Sequence, residues 1–119
     1  MTITPAVWNL VVYIGGTFQY TFTLQDEAGQ VIDLTGYSAE LQARNQLSDA
    51  TPLFSLDSDG NGITITESTG TISFRVEDTV TADLSPNKDA FYDIRITSPS
   101  GDIDYILAGN LEIRQMATQ

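Results

Sequence analysis

The chain has 119 residues, 41% of them hydrophobic, with eleven aromatics spread along its length, enough for one domain to bury a core unaided by disulfides or metal. Sixteen Asp and Glu against five Lys and Arg give a net charge of −11, and there is no cysteine and no histidine. That composition excludes thiolate metal sites, cysteine nucleophiles and the Ser-His-Asp arrangement, and its long-range repulsion argues against nucleic acid and anionic membranes as partners.

Trp8 to Tyr13 predicts an opening strand, closed by Gly15 and Gly16. From Thr17 to Leu24 large apolar residues alternate with Thr and Gln, the period of a half-buried strand. Asp26 to Gly29 has turn chemistry, and Gln30 to Asp33 predicts the short return arm of a hairpin. Ser38 to Arg44 places Ala39, Leu41 and Ala43 on one face and Glu40, Gln42 and Arg44 on the other. Its residues are also good helix formers, but period two and the flanking strands favour β. Asn45 to Ala50 is a polar loop, and Leu53 to Leu56 is a short strand after Pro52.

Ile63 to Glu67 and Thr71 to Val76 predict a hairpin turned at Ser68, Thr69 and Gly70. Between Asp78 and Leu84 the spacing of Val80 and Leu84 predicts one short helical turn, with Asp78 as its N-cap. Phe91 to Thr97 reads as a central strand, Pro99 to Gly101 as a tight turn, and Ile103 to Ala108 as the next strand. Gly109-Asn110 predicts a bulge or bend before Leu111 to Arg114. Eight or nine short antiparallel strands at this spacing predict an all-β, immunoglobulin-like sandwich in which residues 1–119 form a single domain. Ala90-Phe91-Tyr92-Asp93-Ile94 carries the pattern around a tyrosine corner, although Tyr92 also fits a plain core position.

Few residues offer chemistry. Asp57, Asp59 and Asn61 open a sequence like a calcium loop. Ser68 occupies the twelfth place, where a bidentate Glu belongs, so a polar turn is the preferred reading and a cation site the weaker one. Asp102 and Asp104 should share a strand face, paired with Arg95 and Arg114 on neighbouring strands. No Ser or Thr has an evident activating partner and no phosphate-cradling glycine loop is followed by a lysine. Neither an enzyme nor a cofactor is expected. Trp8 either caps the core or anchors an interface.

The succession Gly15 to Phe18, Phe22 to Gly29, Val31 to Tyr37 and Leu41 to Arg44 resembles small virion proteins of tailed bacteriophages. Gly62-Ile63, Thr69 to Ile72, Tyr92 to Ile94, and Ser100-Gly101 leading to Ile106 to Gly109 keep the same order. Within that group the chain is similar to the immunoglobulin-like N-terminal domain of phage upper baseplate proteins, whose helical and receptor-side regions have no counterpart in this sequence. The resemblance implies a non-enzymatic assembly module of the tail, baseplate or tail-fibre attachment. It would sit in the virion after synthesis in the host cytoplasm, a location consistent with the lack of a signal-peptide pattern after Met1. The implied partners are other virion proteins, including further copies of itself. Thr2, Ile3, Trp8, Gln115 and Met116, in the terminal segments, are the candidate contact residues. A capsid decoration protein is one alternative; a calcium- or carbohydrate-binding sandwich is the other.

Overall fold

The computed structural model describes residues 6–118. Nine strands run in chain order as β1 (Ala6–Val7), β2 (Leu10–Tyr13), β3 (Phe18–Thr23), β4 (Ser38–Arg44), β5 (Phe54–Asp57), β6 (Ile63–Thr66), β7 (Thr71–Val76), β8 (Asn87–Thr97) and β9 (Ile103–Arg114). One helical turn, α1 (Asp78–Thr81), links β7 to β8. The larger sheet has the order β1-β9-β8-β4-β5, with β2 also paired to β9, and the smaller sheet has the order β3-β7-β6.

Alternation decides which side chains meet between the sheets. On β4, Ala39, Leu41 and Ala43 are buried, and on β8 so are Ala90, Tyr92, Ile94 and Ile96. Ile72, Phe74 and Val76 of β7 face them from the smaller sheet. Phe74 is the hub of that side, with the rings of Phe18, Tyr20 and Phe22 packed around it at centroid distances of 5.8 to 6.4 Å. Those three stay half-buried because β3 is an edge strand of the smaller sheet. The predicted period-two segments at β3, β4, β6 and β7 therefore fold as strands with the expected faces inward.

The opening strand departs from expectation. It is broken at Trp8 and Asn9 into β1 and β2, and both pieces pair in parallel with β9 instead of antiparallel. The break is held from three directions. The Trp8 N–H donates to the Ala108 carbonyl at 2.8 Å; the Asn110 N–H donates to Asn9 Oδ1 at 3.1 Å; and the Tyr92 hydroxyl donates to the Trp8 carbonyl at 2.6 Å. Tyr92 thus forms no tyrosine corner: its partner lies 84 residues away in sequence, in the break between β1 and β2. Burial, and to a smaller extent the neighbouring Tyr20, push its phenol well above the usual tyrosine range.

Gly109 belongs to the same junction. It causes no bulge, since it pairs in register with Tyr92. One bulge falls at Ile106, which is skipped between the pairs Ile94–Leu107 and Arg95–Tyr105, so Ile106 and Leu107 are both buried in succession, and a second irregularity lies on β8 between Asn87 and Ala90, opposite Leu111 to Ile113. Gly109 is needed for space: a Cβ there would stand 2.7 Å from the Trp8 carbonyl carbon and closer still to its oxygen.

The helical turn lies where expected, but its residues act differently. Its N-cap is Glu77, not Asp78, and no side chain caps it. The buried residue is Thr81, while Val80 faces solvent. Thr81 Oγ1 donates to the Gly16 carbonyl at 2.7 Å and accepts from the Gly15 N–H at 3.2 Å, tying the β2–β3 turn to α1.

Two predictions follow from the junction at Trp8. Gly109→Ala should lower the unfolding free energy by about 2 kcal/mol, the cost of forcing an extra methyl into a packed site, read as a fall in the urea midpoint; an unchanged midpoint contradicts the close approach. The Tyr92 phenol ionises near pH 10 when unfolded but keeps its proton in the fold, so its stabilisation is complete below that pH and is lost as pH rises through the folded value. Spectrophotometric titration should therefore show one of the five tyrosines ionising only as the protein unfolds, and Tyr92→Phe should remove that step. Five phenols titrating with the fold intact would contradict it.

Candidate functional site

The acidic turn resolves into backbone chemistry. Asp57 Oδ1 accepts from the Asp59 N–H at 2.9 Å, and Oδ2 accepts from the Asn61 side-chain amide at 3.3 Å. The Asp57 N–H donates to the Asn61 carbonyl at 2.9 Å. Gly60 and Gly62 both have positive φ, and a Cβ on Gly62 would stand 2.7 Å from Leu56 Cδ2. The Asp, Asn and Gly of this segment are thus the residues that a tight reversal between β5 and β6 requires. Among the described residues no group of three or more His, Cys, Asp or Glu side chains is placed to hold a metal ion.

Asp102 and Asp104 do not form the expected cross-strand pairs. Asp102 lies in the turn before β9, where its N–H donates to Ser98 Oγ at 3.1 Å. Asp104 pairs in register with the buried Ile96, on the opposite face from Arg95. Arg95 instead binds Glu40 at 3.0 Å, and Arg114 pairs with Glu112 two residues away. The mismatch arises from the turn and the bulge at Ile106, which reset the phase of β9.

The Trp8 ring meets Tyr20 edge-on at 4.5 Å, closing the gap between β1–β2 and β3 as a core cap would, while 41% of the residue stays exposed. Gln115 and Met116 are exposed beyond the end of β9. Thr2 and Ile3 lie outside the described residues.

The feature that linear reading missed is the outer face of the larger sheet. Four of the five basic residues, Arg44, Lys88, Arg95 and Arg114, lie on its strands. Ten of the sixteen acidic residues lie off them, so in a strongly acidic protein the larger sheet is nearly neutral. Among the described residues half of the exposed large hydrophobics, Val7, Tyr13, Phe91, Ile103 and Tyr105, lie on strands of this sheet. Cross-strand register orders this face in rows: Asn110–Phe91–Arg44, then Ala108–Asp93–Gln42, then Tyr105–Arg95–Glu40. Glu40, Gln42, Arg44, Asp93, Arg95 and Tyr105 line a shallow depression there. Desolvation raises the Asp93 pKa, opposed by the nearby Arg44 and Arg95 guanidiniums and reinforced by Glu40. The signal that could have revealed this face is the phase of the charges: Arg44 on β4 and Arg95 on β8 fall on the strand positions opposite the buried ones.

The outer face of the smaller sheet is different in kind. Thr21 donates to Ser73 at 3.1 Å, Thr23 pairs with Thr71 at 3.4 Å, and Arg75 binds Glu77 and Gln19, so its polar groups satisfy one another.

No family model matches the chain, and no curated protein sequence matches it. Among solved structures, a chain in the crystal structure of chicken TCR superposes with a TM-score of 0.54 at 15% identity, covering 94% of this chain and 55% of that one. The protein therefore spans about half the length of that chain. The extracellular domain of mouse leukocyte-associated immunoglobulin-like receptor 1, crystallised as a strand-swapped dimer, matches with a TM-score of 0.47 at 11% identity, covering 96% and 95% of the two chains. At such identities the likeness to the chicken chain concerns the fold alone, and the fold is an immunoglobulin-like β-sandwich.

Proposed function

We propose that the protein is a non-enzymatic assembly module of a tailed-bacteriophage particle, working in the tail, baseplate or tail-fibre attachment by docking onto other virion proteins. The observation that carries the assembly reading is the distribution of surface groups: most excess acid lies off the larger sheet, whose outer face offers exposed aromatics among balanced charges. A surface of that composition suits protein contact. The immunoglobulin-like fold is compatible with it, being a scaffold used for interaction on many unrelated proteins. The phage assignment rests on the succession of short motifs from Gly15 to Arg44 and from Gly62 to Gly109.

Mass spectrometry of purified phage particles, combined with immunogold labelling, tests the reading. The chain should be a stoichiometric component with label on the tail or baseplate. Label on the head would indicate a decoration protein instead, and absence from intact particles would overturn the virion assignment.

A further inference from the structure

We propose that the outer face of the larger sheet is a contact between two copies of this chain, paired about a two-fold axis that runs across the strands. Three observations on this face lead there.

The first is the arrangement of charge along the strands. At the end where β8 begins, Arg44, Lys88 and Arg114 stand against Glu112 and Asp89; at the other end, Glu40 and Asp57 stand against Arg95. One end is thus slightly cationic and the other slightly anionic. A two-fold axis across the strands reverses the second copy end for end, so Arg44 of one copy comes over Glu40 of the other. Such a pairing satisfies both ends at once, as an isologous contact must.

The second is the middle row, Ala108–Asp93–Gln42, through which the axis would run. It carries one ionisable group per copy, Asp93, which lies in the field of the Arg44 and Arg95 guanidiniums. On either side of that row stand the exposed rings of Phe91 and Tyr105. With the strands reversed, Phe91 of one copy meets Arg95 of the other, a geometry in which a guanidinium covers a ring face.

The third is size and long-range charge. With 11 residues in β8 and about 3.3 Å of rise per residue, and with five strands about 4.8 Å apart, the face measures roughly 700 Å². A standard interface buries about 800 Å² per partner. Two molecules of net charge −11 repel less when they approach through this sheet, whose strands carry four basic against six acidic residues, than through the acidic turns. The smaller sheet offers no such surface, because its outer hydroxyls bond one another and it exposes none of the large apolar side chains.

This inference stands apart from the virion assignment, since it concerns the isolated protein. Sedimentation velocity on the full chain at about 0.15 M salt, at concentrations up to about 1 mM where weak pairing becomes visible, should show a reversible monomer–dimer equilibrium. Phe91→Glu should weaken the dimer at least tenfold. Thr21→Glu, which adds the same charge to the outer face of the smaller sheet, should leave it within about twofold. Circular dichroism on both variants would verify that they keep the sandwich, and Tyr105→Glu gives a second probe of the face should Phe91→Glu unfold. A monomer across the whole range, or a dimer weakened equally by Thr21→Glu and the sheet-face variants, would overturn the proposal.

Discussion

The carbonyl of Trp8 is the point at which the first and last strands of this protein are locked together. It accepts a hydrogen bond from Tyr92 on β8 and lies against the bare Cα of Gly109 on β9, so the opening segment can approach the sheet only if both residues are present. Leaving this part-buried carbonyl without its donor costs up to about 1–3 kcal/mol, a sizeable share of the margin by which a small domain is stable. The lock also sets the two apolar faces beyond it. It delivers Leu10 and Val12 into the core opposite Leu111 and Ile113, and it brings the Trp8 ring against Tyr20 of the smaller sheet. Without it, β9 would be an open edge and the sandwich would lose one of its seals.

The consequences reach the surface. Because β1 and β2 cover the β9 edge, the larger sheet presents an outer face continuous from Val7 and Tyr13 to Glu40 and Asp57. Its nearly balanced charges and exposed rings stand out in a molecule whose turns carry most of the excess acid. Among the described residues the ion pairs are Arg95–Glu40, Arg75–Glu77 and Arg114–Glu112, all on the surface, where such bridges contribute little to stability.

Much of the fold was legible because its information is local. Alternation at Phe18 to Thr23 and Ser38 to Arg44 specifies strand, face and approximate ends with no reference to the rest of the chain. The turns at Asp26, at Ser68 to Gly70 and around Gly60 were likewise legible from residue chemistry. What escaped depends on residues far apart in sequence. Parallel pairing of β1 and β2 with β9 joins positions about a hundred residues apart, and nothing in Trp8 to Tyr13 announces it. The pattern around Tyr92 suggested a nearby partner; its hydroxyl found a distant one. Gly109 read as a bulge signal, yet the vacancy on its Cα serves a neighbouring backbone, and the bulge sits at Ile106, where two buried residues in a row were the available sign. The candidate surface was missed for the same reason: its cations come from three strands and form a face only once β4, β8 and β9 lie side by side.

Native-state hydrogen exchange on Tyr92→Phe tests the lock most directly. The account predicts that the β2 amides, Leu10 to Tyr13, exchange at least tenfold faster than the β4 amides in this variant, because the opening segment detaches before the sheet unfolds. Equal protection of β2 and β4 would contradict it, since the Trp8 carbonyl would then hold nothing that the rest of the sandwich does not hold already.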